Sequence, residues 1–246
     1  MEKLEKLNEN AEKTGLKINR SKTKFMAIND KKNQPVKIGG EYIEKVEKFT
    51  YLGSQISNTG GTEDDIKSRI NQAQCVFYKL RQFWNSKAIS TNTKVKIFNS
   101  NIKSVLLYGA ESWKGNKNGY SKLQTFINKC LRKILRVYWP NKITNKELWK
   151  RTNQEPVEIE ILKRKWCWIG HTLRKDERDI TKESLEWNPQ GARKKGRPVN
   201  TWRRTVHREA KEMSKSWNEL KIEAKNRGRW RSLVAALCSL RNQEDK

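Results

Sequence analysis

"TEDDIKSRINQAQCVFYKLRQFW" spans Thr62–Trp84, and its spacing decides the fold. Ile66, Ile70, Ala73, Phe77, Leu80 and Trp84 recur at three- and four-residue steps, the period that lays one apolar stripe along a helix. Thr62 with Asp65 three residues later reads as a capping box, and acids in a first helical turn suit the positive end of the helix dipole. Upstream of Thr62 the apolar segments are short and divided by Asn, Asp, Pro and Gly; downstream they are long and helical. The predicted class is therefore α+β, a small antiparallel β part followed by a mainly α-helical bulk.

Working outward to the N-terminal side, "LEKLNENAEKTG" carries Leu4, Leu7 and Ala11 on one helical face, with Gly15 as the stop. It has no capping residue ahead of it, as if the chain entered in the middle of a fold. "KFMAI" (24–28), "VKIGG" (36–40) and "KFTYLGSQI" (48–56) are strand signals. They predict a small antiparallel sheet on the first helix, a layer thin enough to want a partner surface.

Working outward to the C-terminal side, a second helix carries Val95, Phe98, Ile102 and Val105 and stops near Gly109. A third follows Ser121 with Leu123, Phe126, Ile127, Cys130, Ile134 and Leu135, and "WKGNKNGY" before it reads as a loop. These helices suit a compact antiparallel bundle. Thr144 with Glu147 opens a short helix, and Pro156 opens a longer one with the stripe Ile159, Leu162, Trp166, Ile169 and Leu173. A loop over 187–200 interrupts. Helices resume near Thr201 (Trp202, Val206, Met213), at Ser216 with its capping partner Glu219, and from about Arg229 to Leu240. The expected division is 1–60, 61–139 and 140–246.

The 246 residues hold 54 Lys+Arg against 27 Asp+Glu, a formal net charge of +27. Charge of that size describes what the surface attracts, and nucleic acid is the commonest polyanion to match it. No apolar run approaches the roughly 20 residues of a membrane-spanning helix, and no signal peptide opens the chain. The expectation is an intracellular protein, nuclear or cytoplasmic. Ten tryptophans in amphipathic register separate it from a disordered polycation. Cys75, Cys130, Cys167 and Cys238 form no CxxC pair and read as small buried hydrophobes.

"TGLKINRSKTKFM" (14–26), followed by "FTYLGSQIS" (49–57), resembles the end of the palm of non-LTR, LINE-type retrotransposon reverse transcriptases. Gly15-Leu16, Asn19 and Lys22-Thr23 match the fourth palm motif; Phe49, Tyr51, Leu52 and Gly53 match the fifth, the hairpin that holds the primer strand. "LLYGAESW", "INKCLRKIL", "LWKRTNQEP", "RKWCWIGHTLR" and "GRPVNTWRR" resemble the thumb and C-terminal region of the same endonuclease–reverse transcriptases. The resemblance runs over nearly the whole chain. It implies the end of a palm over 1–60, a thumb-like helical bundle over 61–139 and a basic, Trp-rich nucleic-acid-binding region over 140–246.

It also implies a parent activity, RNA-directed DNA polymerisation in target-primed reverse transcription, with Mg2+ held by aspartates of two motifs that precede the fourth. Two such metals stand about 3.5–4 Å apart in two-metal sites. Only 14 residues stand before Gly15, none of them Asp, so catalysis by this chain alone is not expected, nor is a cofactor in it. The only Asp-Asp pair, Asp64-Asp65, follows the fifth motif and reads as first-turn carboxylates. Lys22 is the residual fourth-motif lysine, with a surface lysine as the plain reading. Gly53 lets a sugar–phosphate backbone come close and Tyr51 packs on a ribose, or they are a turn glycine and a core aromatic.

"WNPQGARKKGRPVNTWRR" (187–204) holds six cations and no acid. Arg193, Lys194, Lys195, Arg197, Arg203 and Arg204 suit phosphate binding by counterion release, and Trp187 and Trp202 flank them. Trp202 keeps step with Val206 and Met213, so core packing suits it better than stacking; Trp187 follows no stripe. "KGRP" is a weak match to a minor-groove hook. Lys163, Arg174 and Lys175 are taken to face phosphate. Cys167 and His171, four apart on a helix, are weak metal candidates against a plain reading with no metal. The expected partners are RNA, DNA or their hybrid, not a membrane. A stand-alone module used by a host, and a membrane-surface protein, are the alternatives.

Overall fold

The computed structural model describes residues 2–27, 34–58, 61–187 and 201–244. They form two compact units, Met1–Ser68 and Arg69–Lys246. Short strands lie in the first and the helical bulk in the second, the α+β arrangement expected from the sequence.

In the first unit, helix α1 (Glu2–Lys13) ends at Gly15, whose φ of 75° is the left-handed stop that glycine takes without strain. The strands are β1 (Lys24–Phe25), β2 (Lys37–Ile38), β3 (Glu41–Tyr42), β4 (Glu44–Lys45), β5 (Lys48–Tyr51) and β6 (Ser54–Ser57). They do not make the single antiparallel sheet expected. They form three two-stranded ladders, β1–β4, β2–β3 and β5–β6, and β1–β4 is parallel. Each ladder is only two to four residues long, and α1 packs against β2. Ile38 and Ile66 are the buried hydrophobics of this unit among the described residues, while Leu7, Leu16, Tyr42 and Ile56 stay exposed. The layer is as thin as the sequence suggested.

Helix α2 (Glu63–Lys79) begins with Glu63, Asp64 and Asp65 in its first turn, as the dipole argument requires. The two aspartates do more than favour the dipole. Asp65 is buried and accepts from the Gln55 N–H at 2.9 Å, and Asp64 pairs with Lys48 at 2.8 Å, so together they tie the β5–β6 hairpin to the helix.

In the second unit, Phe77 of α2 stacks on Trp84 of α3 (Arg81–Asn85) at 5.0 Å between ring centres. Next comes α4 (Thr91–Ile97), capped by Ser90. It widens into a π-helical stretch over Phe98–Lys103 and resumes as α5 (Ser104–Leu106), reaching a left-handed Gly109. The π stretch keeps Phe98 and Ile102 buried together with the Lys103 side chain. A 3-10 turn at Ala110–Ser112 and α6 (Lys117–Ile134) follow. The stretch 113–120 is thus a loop only in its first half: Asn116 accepts from the Gly119 N–H and starts the helix five residues earlier than Ser121 suggested. Both α3 and α4 pack against α6.

Thr144 caps α7 (Asn145–Thr152), and Pro156 precedes α8 (Val157–Leu173), both as read from sequence. Helix α9 (Ile180–Glu186) was not expected. Then come α10 (Trp202–Glu212), capped by Thr201, α11 (Trp217–Lys225), with the full Ser216–Glu219 capping box, and α12 (Arg227–Glu244). Trp202 packs partly buried on the core, as expected, and donates Nε1–H to the Glu111 carbonyl at 2.8 Å. The core of this part runs along α8, where Ile159, Leu162, Trp166, Ile169 and Leu173 meet Leu185, Val206, Leu220, Trp230, Val234 and Leu237. Gly170 makes the α8–α12 contact possible: a Cβ there would stand 2.1 Å from Trp230 Nε1, which donates to the Trp166 carbonyl at 2.9 Å.

Candidate nucleic-acid interface

The Leu52-Gly53 turn joins β5 to β6 with positive φ at both residues, 49° and 77°, the handedness that a two-residue hairpin needs. Gly53 takes it freely; Leu52 bears a cost of about 1 kcal/mol. Tyr51 is 59% exposed, so it is no core aromatic, and Leu52 beside it is 74% exposed. Lys22 is exposed in a turn in which its own N–H bonds Asn19 Oδ1 at 3.1 Å.

The cations singled out along α8 have different fates. Lys163 is exposed. Arg174 is half-buried and donates to the Ala224 carbonyl at 3.0 Å, joining the end of α8 to the end of α11. Lys175 pairs with Asp179 at 3.2 Å and donates to Thr181 at 3.0 Å, so its charge is held within the chain. The same contacts, above all the hydrogen bonds from Thr181, hold the Asp179 carboxyl down at about 2. Arg203 donates to the carbonyls of Glu186 and Trp187 at 3.0 and 3.4 Å; Arg204 is exposed. Arg193, Lys194, Lys195 and Arg197, with the rest of 188–200, lie outside the described residues.

Other cations are buried for structural ends. Lys165 is 3% exposed and pairs with Glu209 at 2.6 Å, while the other Glu209 oxygen accepts from Trp166 Nε1 at 2.8 Å. Burial pushes the Lys165 ammonium below its ordinary pKa, against the pull of Glu209. Lys94 donates to the carbonyls of Trp84 and Ser86 at 2.9 and 2.6 Å, closing the end of α3. Arg241 forks onto Glu212 with contacts of 2.9–3.0 Å.

A further group was not foreseen. Arg227, Arg229 and Arg231 on the first turns of α12 are exposed and form no ion pair among the described residues. Arg227 and Arg231, one turn apart, act on Arg174 strongly enough to lower its pKa together with the larger effect of burial. The signal was available: "NRGRWR" opens a run without an acid from Ala224 to Gln243.

Asp64 and Asp65 are engaged by Lys48 and Gln55, and no cluster of three or more His, Cys, Asp or Glu able to hold a metal occurs among the described residues. Cys167 and His171 are both exposed on α8. Cys130 and Cys238 are buried as expected of small hydrophobes, but Cys75 and Cys167 are exposed because their helix faces point away from the cores. No helix of the described residues is long and apolar enough to cross a membrane.

Residues 76–108, from the end of α2 to the turn after α5, match a family model described as a domain of unknown function, DUF6451. In an alignment 247 positions long the chain is 23% identical to a Caenorhabditis elegans protein, F52C9.6, whose name describes it as a putative uncharacterized transposon-derived protein. That similarity covers 94% of this chain and 87% of the relative. No solved structure matches. The similarity to a transposon-derived protein agrees with a retroelement origin.

Proposed function

We propose that this chain binds nucleic acid through its phosphates, without strong sequence preference, and that it corresponds to the C-terminal part of a non-LTR retrotransposon reverse transcriptase. The observation that carries the binding is the uncompensated charge: +27 overall, with Arg227 and Arg231 one turn apart on α12, Arg229 exposed on another face of the same helix, and no ion pair to any of them among the described residues. Neutral folding needs no such ridge, whereas each phosphate it meets releases condensed counterions. The palm-like and thumb-like motifs, together with the similarity to a transposon-derived protein, support the parentage.

In such a parent these parts would hold template RNA and primer–target DNA while Mg2+ held elsewhere supplied the chemistry. No bond-making step is assigned to this chain, because its adjacent aspartates are occupied in joining hairpin to helix. A second reading, a stand-alone binding module used by a host, draws support from the dense core along α8. The test is a binding titration of the purified chain with RNA, DNA and hybrid across a salt series. Affinity should fall steeply with salt for all three, by about 0.9 in log–log slope per phosphate contact on B-DNA. Failure to bind any of them at low ionic strength would overturn the proposal.

A further inference from the structure

Beside the arginines lies a cleft of about 440 Å³, within the roughly 300–1,000 Å³ of small-ligand clefts. Leu173, the last residue of α8, is one apolar wall, and Trp187, 61% exposed just beyond α9, is an aromatic one. Lys221 and Lys225 of α11 line it from another side. The link to the arginine ridge is covalent and close on both sides. Arg174 follows Leu173, and its guanidinium bonds the carbonyl of Ala224, which precedes Lys225; α12 begins two residues later with Arg227.

The cleft and the ridge differ in sign. Glu177, Glu183 and Glu186 also line the cleft. Lys182 pairs with Glu177 and Lys221 with Glu186, so the cleft interior is close to balanced, and its carboxylates discourage a phosphate from entering. Outside, Arg174, Arg227 and Arg231 attract one. An elongated ligand with an aromatic, hydrogen-bonding end and an anionic end is thereby oriented, the ring against Trp187 and the anion on the arginines. A nucleotide has these two ends. In a duplex the base is stacked and paired and cannot enter; in a single strand every base offers its π-face.

We propose that the junction of α8, α9, α11 and α12 is a binding site for one unpaired nucleotide of a nucleic-acid strand, its base in the cleft against Trp187 and Leu173 and its phosphates on Arg174, Arg227 and Arg231. The site rests on the nucleic-acid reading above and sharpens it to unpaired strands. Base contact gives a preference that phosphate attraction alone cannot, since a duplex carries more phosphate per length than a single strand.

The test uses the full chain, an unstructured single-stranded RNA and a blunt duplex of the same length, each followed by fluorescence anisotropy at fixed salt. Trp187→Ala should weaken single-strand binding about tenfold, in line with a lost base stack, and leave duplex binding within about twofold. Trp187→Phe should restore most of the loss. Arg227→Ser with Arg231→Ser should weaken both ligands. Circular dichroism and a thermal melt confirm that each variant folds, as exposure of all three side chains leads one to expect. Trp187→Ala with unchanged single-strand affinity, or with equal losses on both ligands, would overturn the site while leaving general binding intact. Wild-type protein that binds neither ligand would instead remove the reading on which the site rests.

Discussion

The flank of α8 that faces α10 and the end of α8 that faces α12 treat positive charge in opposite ways. Toward α10, Lys165 is sealed from water with Glu209 as its counter-ion and a tryptophan N–H completing the carboxylate's hydrogen bonds. At the far end, Arg174 feels the charges of Arg227 and Arg231, and no acid among the described residues pairs with any of the three. The first arrangement makes charge part of the interior; the second leaves it for something outside the chain. Counting Lys and Arg cannot separate the two, because the distinction lies in what each charge meets after folding.

The sharpest way to break the contrast is to remove one member of the buried pair. Glu209→Ala leaves an uncompensated ammonium in the core and should cost about 3–5 kcal/mol in urea denaturation. Replacing both, Lys165→Met with Glu209→Leu, should cost far less than the single change, which marks the loss as a stranded charge. Next in size is Gly170→Ala, whose new methyl meets the Trp230 indole. We expect a loss of about 1–3 kcal/mol in the same assay, reduced in the background of Trp230→Leu.

The exposed side of the comparison predicts the reverse pattern. Arg227→Ser, Arg229→Ser and Arg231→Ser together should leave stability within about 0.5 kcal/mol of wild type, yet weaken nucleic-acid binding and flatten its salt dependence. Lys175→Ala should do the opposite on a smaller scale: a slight drop in melting temperature and no change in affinity, since Asp179 already holds that lysine.

The smallest effect is acid sensitivity at α9. The Asp179 carboxyl sits at about 2 when folded, below the roughly 3.9 of a free aspartate. A depressed folded value contributes stability above the unfolded one, lost as pH falls from about 4 toward 2. Wild type should therefore lose more stability than Asp179→Asn across that interval, as read by melts at stepped pH.

What could be read in the sequence was local. The stripe from Ile159 to Leu173 and the caps at Thr144 and Ser216 depend on neighbours within a turn or two, and the chain folds as they indicate. Helix α9 escaped because Leu185 is its one buried residue and a single apolar contact leaves no period. The parallel β1–β4 pairing joins Lys24 to Glu44 across an intervening ladder, and alternation within two residues cannot announce it. At the candidate site, positive charge was legible but its use was not: Lys175 looked as free as Arg231 until Asp179 and Thr181 came beside it. The arginine ridge could have been found from its lack of acids alone.

The meeting of Gly170 with Trp230 also constrains descent. Two positions far apart in the chain share one volume, so neither can grow unless the other shrinks. Across diverging relatives, a larger residue at the first should arrive only with a smaller ring, or none, at the second, and this paired history would outlast similarity at the surface.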